Sequence, residues 1–147
     1  MESPEYISKE EVRRVCGELG IRDWTQLANT EVEFREAEIL RELVGSEALE
    51  VSLENFKQGL EVELEHGFGF PDANVTNNHP VLTGKIVLAH LKETLDYYTR
   101  LEVAELEGDL LKSLMAGDRA KLESKYRLLL EARKNLIESE LEQVRGT

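Results

Sequence analysis

Residues 56–67 read FKQGLEVELEHG, residues 80–93 read PVLTGKIVLAHLKE, and residues 96–102 read DYYTRLE. In the first two stretches the large apolar residues recur three or four positions apart, which is typical of an α-helix with one buried face. Between them, residues 68–79 are rich in Asn, Asp and Gly, which favour turns. These stretches together predict a helix, a long polar loop and two further helices.

Helix-boundary signals continue this pattern toward the N-terminus. Residues 8–11 (SKEE) and 30–33 (TEVE) match the capping box that opens a helix. Gly20 and Gly45 follow at distances that suit helix ends, since glycine readily adopts the left-handed conformation found there. Two helices are therefore predicted before residue 46.

The same signals bound the central helices. Ser52 is a cap for the third helix, and Gly67 is predicted to end it. Pro80 suits the first position of a fourth helix, with Asn78 or His79 as its cap.

Two more helices follow, one from Asp96 to Gly117 and one over residues 118–145. The last helix contains two sets of apolar residues that recur every seven positions, as in a helix that packs lengthwise on its neighbours: Leu122, Leu129 and Leu136, and Leu130, Ile137 and Val144.

The composition agrees with an all-α fold. Glu and Leu dominate the 147 residues, and β-branched runs are absent. A chain of this length suits one domain with its own core. We predict a single compact bundle of five to six helices, a single helical domain over residues 1–147, with a long C-terminal helix at 118–145.

Charge and hydropathy argue against several kinds of partner. The net charge is −12, and the Lys and Arg residues are interleaved with Glu, whereas phosphate binding needs clustered bases. We therefore expect no nucleic acid. No apolar run approaches the ~18 residues of a membrane span, so no membrane is expected. The single Cys16 fits a reducing compartment, and the acidic N-terminus differs from a basic signal peptide. These features predict a cytoplasmic protein.

The quoted stretches carry a resemblance. Over residues 56–102 the chain resembles a family of small uncharacterised all-helical proteins of bacteria and their phages, on the pattern Gly59-x-x-Val62-Glu63-x-Glu65-His66-Gly67, Gly84-Lys85-Ile86-x-Leu88-Ala89-His90-Leu91-x-Glu93 and Asp96-Tyr97-Tyr98-x-Arg100-Leu101. The resemblance implies a helical fold with a motif-bearing core at 52–102, and it implies no activity. Two departures stand out: His79 replaces a usually acidic residue, and residues 28–50 resemble an inserted helix.

Two Glu/His pairs form the candidate metal site. Glu63 and His66 lie three positions apart, as do His90 and Glu93, so each pair lies on one helical face. Such pairs from two helices bind iron in carboxylate bundles, and His and Glu also bind zinc. In a tight helical hairpin, however, His66 and His90 would be offset by about 15 Å at ~1.5 Å per residue.

Structural interpretations of these histidines stay open. His66 lies beside Gly67 and can complement the negative C-terminus of a helix. His90 can be a core histidine bonded to Glu63, Tyr97 or Tyr98. No catalytic residue is predicted, because Cys16 lies on an apolar helical stripe and reads as a small buried residue, and no serine lies in a Gly-x-Ser-x-Gly turn. No cofactor is predicted, with zinc or iron as the alternative.

The preferred function is a non-enzymatic structural or protein-interaction module of bacterial or phage origin, virion-associated if phage-encoded. Its partner is another protein or a second copy of the chain. The loop 68–79, with Phe68 and Phe70, and the last helix are the candidate contact surfaces. The alternative is a zinc- or iron-binding helical protein, with or without enzymatic activity, that uses Glu63, His66, His90 and Glu93.

Overall fold

Helices account for nearly all regular structure in the computed structural model, which describes residues 6–46 and 50–146. Six α-helices occur in these ranges, together with short 3-10 turns at Trp24–Gln26 and Pro71–Ala73. The helices are α1 (Lys9–Leu19), α2 (Phe34–Val44), α3 (Leu53–Gly69), α4 (Pro80–Glu93), α5 (Tyr97–Met115) and α6 (Arg119–Arg145). The predicted all-α class is confirmed, and so is the expected number of helices.

Helix α1 begins and ends where the sequence predicts. The Ser8 hydroxyl accepts a hydrogen bond from the Glu11 backbone N–H at 3.2 Å. Gly20 ends the helix in the left-handed region, with φ of +64°. The Glu11 carboxylate pairs with Arg14 (Nε to Oε2, 2.8 Å), so the hydroxyl half of the predicted capping box is the half that forms.

The predicted start of α2 at Thr30 is wrong, because the helix begins at Phe34 with Glu33 as its cap. Val32 is buried, and its backbone N–H donates to Glu61 Oε1 of α3 at 2.9 Å. This bond to another helix holds the preceding residues in a non-helical conformation. The Glu33 N–H then donates to Glu36 Oε2 at 2.9 Å and closes the first turn.

Helices α2, α3 and α4 contact one another in all three pairs, and α1 contacts α4 and the Trp24 turn. Each of the three contributes large apolar side chains that are fully buried: Leu40 from α2, Phe56, Leu60 and Leu64 from α3, and Val87 and Leu91 from α4. Gly84 permits this close packing, since a Cβ there would lie 3.2 Å from Val44 Cγ1. Apolar burial of this kind is the main term that stabilises the core.

Helix α3 extends past its predicted end. Gly67 lies inside the helix, which continues to Gly69, so the polar loop begins at Phe70 rather than at residue 68. Asn74 Nδ2 donates to the Gly67 carbonyl at 3.3 Å, and Asn78 packs against the same glycine. Gly67 therefore allows the loop to approach α3 closely, and it does not end the helix.

The chain divides between Leu95 and Asp96 into two compact units. The second unit is the antiparallel pair α5 and α6, with Leu106, Leu129 and Ala132 buried and Val103 and Leu110 packed against them. The Asp118 carboxylate caps α6 by accepting from the Lys121 N–H at 2.9 Å. The predicted long C-terminal helix over 118–145 is confirmed.

The single domain over 1–147 stays a prediction, and residues 1–5 and 147 lie outside the described ranges. The same holds for the motif-bearing core 52–102, which spans the division at Asp96. Within the interval 28–50, α2 is the described helix, and residues 47–49 lie outside the described ranges. Its status as an insertion also stays a prediction.

Candidate functional site

Glu63 on α3 brings the two histidines of the predicted metal site together. Its side chain is 12% exposed, and Oε2 lies 3.7 Å from His66 Nδ1. Its other oxygen, Oε1, lies 3.5 Å from His90 Nε2 on α4. Both imidazoles therefore contact one carboxylate.

The expected offset of about 15 Å between His66 and His90 assumed a tight turn between their helices. Residues 70–79 instead form a long connection between α3 and α4, so the offset expected for a tight turn does not apply to these helices. Glu63, one turn before His66, faces both rings. Glu63 and His66 lie one helical turn apart, whereas the approach of His90 to Glu63 depends on how the loop aligns α4 with α3.

Glu93 is the member of the predicted set that does not join this cluster. It lies exposed on the last turn of α4, and no ion pair within residues 6–46 and 50–146 links it to Glu63, His66 or His90. In those ranges no group of three or more His, Cys, Asp or Glu side chains meets the geometry of a metal site. The four-residue zinc or iron site stays a prediction.

A pocket of about 220 Å³ opens beside Glu63, between α3, α4 and the polar loop. Its lining combines carboxylate, imidazole, amide and hydroxyl groups with an aromatic ring: Glu63, His66, Asn74, Asn78, Thr83 and Phe70. Phe70 is largely exposed, so an apolar ring lies at the surface beside these polar groups. Pockets with a few convergent polar groups are common binding sites in proteins.

Asparagines hold the loop that forms one wall of this pocket. Asn74 Nδ2 donates to Asn78 Oδ1 at 2.9 Å, and Asn77 Nδ2 donates to the Ile7 carbonyl. Asn77 and Asn78 both have positive φ, a conformation that asparagine tolerates better than most residues. These bonds hold turns of the kind that the Asn-rich composition of the loop favours.

His79 caps α4, as one of the two predicted alternatives states. The residue is buried, and its Nδ1 accepts from the Leu82 N–H at 3.4 Å. Burial lowers the pKa of His79 from its ordinary value, although the nearby Glu11 carboxylate acts in the opposite direction. A neutral imidazole is the form that can accept this bond.

Sequence reasoning missed a buried carboxylate at Glu36. This side chain is 2% exposed and accepts from Arg22 (Nη2 to Oε2, 2.6 Å; Nε to Oε1, 3.0 Å) and from Trp24 Nε1 at 3.3 Å. Burial is the largest single influence and would raise the pKa of Glu36, but the hydrogen bonds from Arg22, the Glu33 N–H and Trp24, together with the charge of Arg22, lower that pKa overall. With its oxygens bonded, Glu36 ties α2 to the tryptophan turn. The sequence signal that could have indicated this buried carboxylate is the position of Glu36 next to Ala37 on the buried face of α2.

Asp96 forms a comparable cluster in the second unit. Its buried carboxylate pairs with Arg100 through two hydrogen bonds of 2.8 Å, and Gln143 Nε2 of α6 donates to it at 3.1 Å. Arg100 also reaches Glu140 of α6 at 2.8 Å. These contacts tie the start of α5 to the end of α6.

The family comparison matches the segment that contains the Glu63 and Glu36 clusters and the α5 part of the Asp96 cluster. A family model described as "Protein of unknown function (DUF5661)" matches residues 12–107. The chain belongs to this family. The match runs from α1 into α5 and confirms membership of an uncharacterised family, and α6 lies beyond it. The curated proteins searched contained no match, and the solved structures searched contained none either.

In this DUF5661 chain the two predicted heptad stripes of α6 have different surroundings. Leu129 of the first stripe is buried, with Leu122 and Leu136 half-buried beside it. The second stripe is exposed, from 49% at Leu130 to 71% at Val144. Of the predicted loop contacts, Phe70 is more exposed than Phe68. Among the described helices none is long and apolar enough to cross a membrane.

Proposed function

We propose that the chain is a non-enzymatic helical module that binds a protein partner through the exposed stripe of α6. The observation that carries this proposal is the second heptad set, Leu130, Ile137 and Val144, which is about half exposed or more. Large apolar residues exposed along one row of a helix are typical of protein contact sites. Tyr126 and Leu141 extend the same surface and are also about half exposed.

The resemblance over residues 56–102 supports a bacterial or phage origin for the chain. We assign the module to the cytoplasm, or to the virion if a phage encodes it. The net charge of −12 with interleaved bases favours a protein partner over a nucleic acid.

Site-specific photocrosslinking in cells tests the module. A benzophenone amino acid in place of Ile137 lies on the exposed stripe, and the same substitution at Asn135 lies on an exposed part of α6 outside it. We expect discrete crosslinked protein species from position 137 and few from position 135. Equal patterns at both positions would show that the stripe is not a binding surface.

A second candidate function, the binding of zinc or iron, is favoured by the contacts of Glu63. Its oxygens lie 3.5 Å and 3.7 Å from ring nitrogens of His90 and His66. Neighbouring ligands of a tetrahedral zinc ion, at bond lengths of about 2.0–2.1 Å, lie about 3.3 Å apart. These distances exceed those of good hydrogen bonds and approach that ligand spacing. Glu63, His66 and His90 would hold zinc or iron, and Glu93, one turn after His90, would need to turn inward.

Metal analysis and melting experiments test this candidate. A zinc or iron site predicts about one retained equivalent of metal per chain and a higher melting temperature when the metal is added, because a ligand that binds the folded state stabilises it. The variant His66→Gln/His90→Gln should lose both effects, and His79→Asn, which removes a histidine outside the cluster, should keep them. An unmodified chain without retained metal and with an unchanged melting temperature would exclude the site.

A further inference from the structure

The exposed surface of α6 has the regular spacing of a helix-packing seam. Its members, Tyr126, Leu130, Arg133, Ile137, Glu140 and Val144, alternate in steps of four and three residues. This is the repeat with which one helix packs along another. At ~1.5 Å per residue the seam extends over roughly 27 Å. We call these six residues of α6 the outer seam. Their spacing favours a helix as the partner.

A second seam of the same spacing lies beside it on α6 and already contacts α5. This inner seam includes Lys125, Leu129, Ala132 and Gln143. Leu129 and Ala132 are buried in the hairpin core, Lys125 pairs with Asp109 at 2.7 Å, and Gln143 bonds to Asp96. Since successive residues are about 100° apart on a helix, the exposed apolar residues of the outer seam lie to one side of the core that α5 covers.

Both charged residues of the outer seam are neutralised within the hairpin. Arg133 pairs with Glu107 of α5 at 2.8 Å, and Glu140 pairs with Arg100 of α5 at 2.8 Å. Burying a charge without a partner is much more destabilising than burying a charge that is already paired. The outer seam can therefore be covered by an apolar surface without leaving either charge unpaired.

Helix α5 widens the apolar surface on the same side. Glu107 of α5 pairs with Arg133 of the outer seam. Leu111 and Leu114 come four and seven residues after Glu107, so they lie on the same face of α5. Both leucines are more than half exposed. The surface therefore spans both helices of the hairpin near their connection.

The charge distribution favours a second copy over a strongly charged partner. Residues 1–95 contain 19 acidic and 9 basic residues, a net charge of −10. Residues 96–147 contain 11 acidic and 9 basic residues, a net charge of −2. The hairpin is thus the part of the chain that can approach its own copy with little electrostatic repulsion, since near-zero net charge promotes association.

We infer that a second copy of this chain covers the outer seam, so that two α5–α6 hairpins pack into a four-helix arrangement. This inference rests on the proposed protein-binding function and names its partner. In such a dimer both subunits use the same surface, related by a two-fold axis. Two-fold symmetry is the commonest symmetry among homo-oligomers.

Mass measurement by light scattering on a sizing column tests the inference with the full chain. We expect the unmodified chain to have twice the mass of one copy. The variant Leu130→Glu/Ile137→Glu should be monomeric at the same concentration, with a dissociation constant raised about 100-fold or more. The control Ser124→Glu/Asn135→Glu adds the same charge at exposed positions outside both seams and should stay dimeric.

Three results would overturn the inference. The first is an unmodified chain that is monomeric at every soluble concentration. In that case crosslinks from position 137 to another protein would preserve the proposed function and identify a different partner. The second is a seam variant that stays dimeric with its helical circular dichroism intact.

If the seam variant loses helical structure, photocrosslinking of purified chain at position 137 decides the matter without a charge substitution. A product with the mass of two copies supports the inference. The third result that would overturn the inference is the absence of this two-copy product from position 137 at concentrations where the chain is dimeric by mass.

Discussion

Gly67 shows how one residue couples a helix to the loop beside the candidate site. A Cβ at this position would overlap Asn78 Oδ1 and would lie 2.9 Å from Asn74 Nδ2. Asn74 and Asn78 also bond to each other, so neither amide can move without breaking the loop contacts. The absence of a side chain at Gly67 is therefore what allows the loop to pack on α3.

We expect Gly67→Ala to destabilise the protein by about 1–3 kcal/mol, the usual cost of overpacking. The matched control is Gly17→Ala on α1, where a Cβ has no neighbour within 4 Å. That substitution should stabilise by about 0.5–1 kcal/mol, because alanine favours helix over glycine. Urea unfolding measures both effects.

A second variant separates the overlap from other causes. Asn78→Gly removes the overlapping amide and suits the positive φ of that residue. In Gly67→Ala/Asn78→Gly the alanine should cost less than it does beside Asn78. If its cost were the same in both backgrounds, contact with Asn78 would not be the reason for glycine at position 67.

For single residues, the sequence predicted which side chains share a face of one helix better than it predicted which side chains meet between helices. Spacing alone placed Glu63 with His66 and His90 with Glu93, since i,i+3 pairs share a helical face. It could not show that Glu63 contacts His90 or that Glu93 stays outside, because both depend on how α3 and α4 are aligned. Glu36 was missed for a related reason: its partner Arg22 is fourteen residues away and belongs to a turn.

The N-terminus of α4 depends on a titratable cap. His79 Nδ1 accepts from the Leu82 N–H, and protonation would replace this acceptor with a donor. Glu11 and Arg14 of α1 act on the same imidazole in opposite directions, and burial is the largest influence on its pKa. The pKa of His79 in the folded protein is lower than its ordinary value of 6.5.

The lowered pKa predicts a pH-dependent contribution to stability. Above the unfolded-state pKa the imidazole is neutral in both states, so the capping contribution is fully present. As the pH falls below 6.5 the unfolded chain binds the proton first, and stability is lost through the folded-state pKa. His79→Asn keeps a capping oxygen and does not titrate.

The melting temperature of the unmodified chain should therefore fall more steeply below pH 6.5 than that of His79→Asn. His66→Gln removes an exposed histidine and should keep the steeper fall. Parallel pH profiles for the unmodified chain and His79→Asn would show that the cap does not titrate in this range.

Helix identities were predictable from local signals, whereas two helix ends were not. Caps at Ser8, Ser52 and Asp118 form as expected, because a side-chain oxygen within three residues satisfies a free N–H. The start of α2 and the end of α3 depend instead on contacts from other elements, Glu61 to Val32 and the loop asparagines to Gly67. Tertiary contacts of this kind override local preference.

For the whole molecule, charge and apolar surface are distributed in opposite ways. Most of the net charge of −12 belongs to residues 1–95, and the exposed apolar stripe belongs to α6. Heptad spacing predicted both seams of α6 from the sequence. It could not show which seam α5 would cover, because the two sets of residues have the same spacing and similar hydrophobicity.

This distribution predicts how salt affects self-association. Two copies that each have a net charge of −12 repel each other at long range. Raising the ionic strength from about 0.01 M to about 1 M shortens the Debye length from about 30 Å to about 3 Å and screens this repulsion. An apolar contact is not weakened by that screening, so the dissociation constant of the dimer should fall about tenfold. Light scattering at both ionic strengths measures it, with Leu130→Glu/Ile137→Glu expected to stay monomeric throughout. Association that weakened with salt would mean that charge pairs between the copies, rather than the outer seam, hold the dimer together.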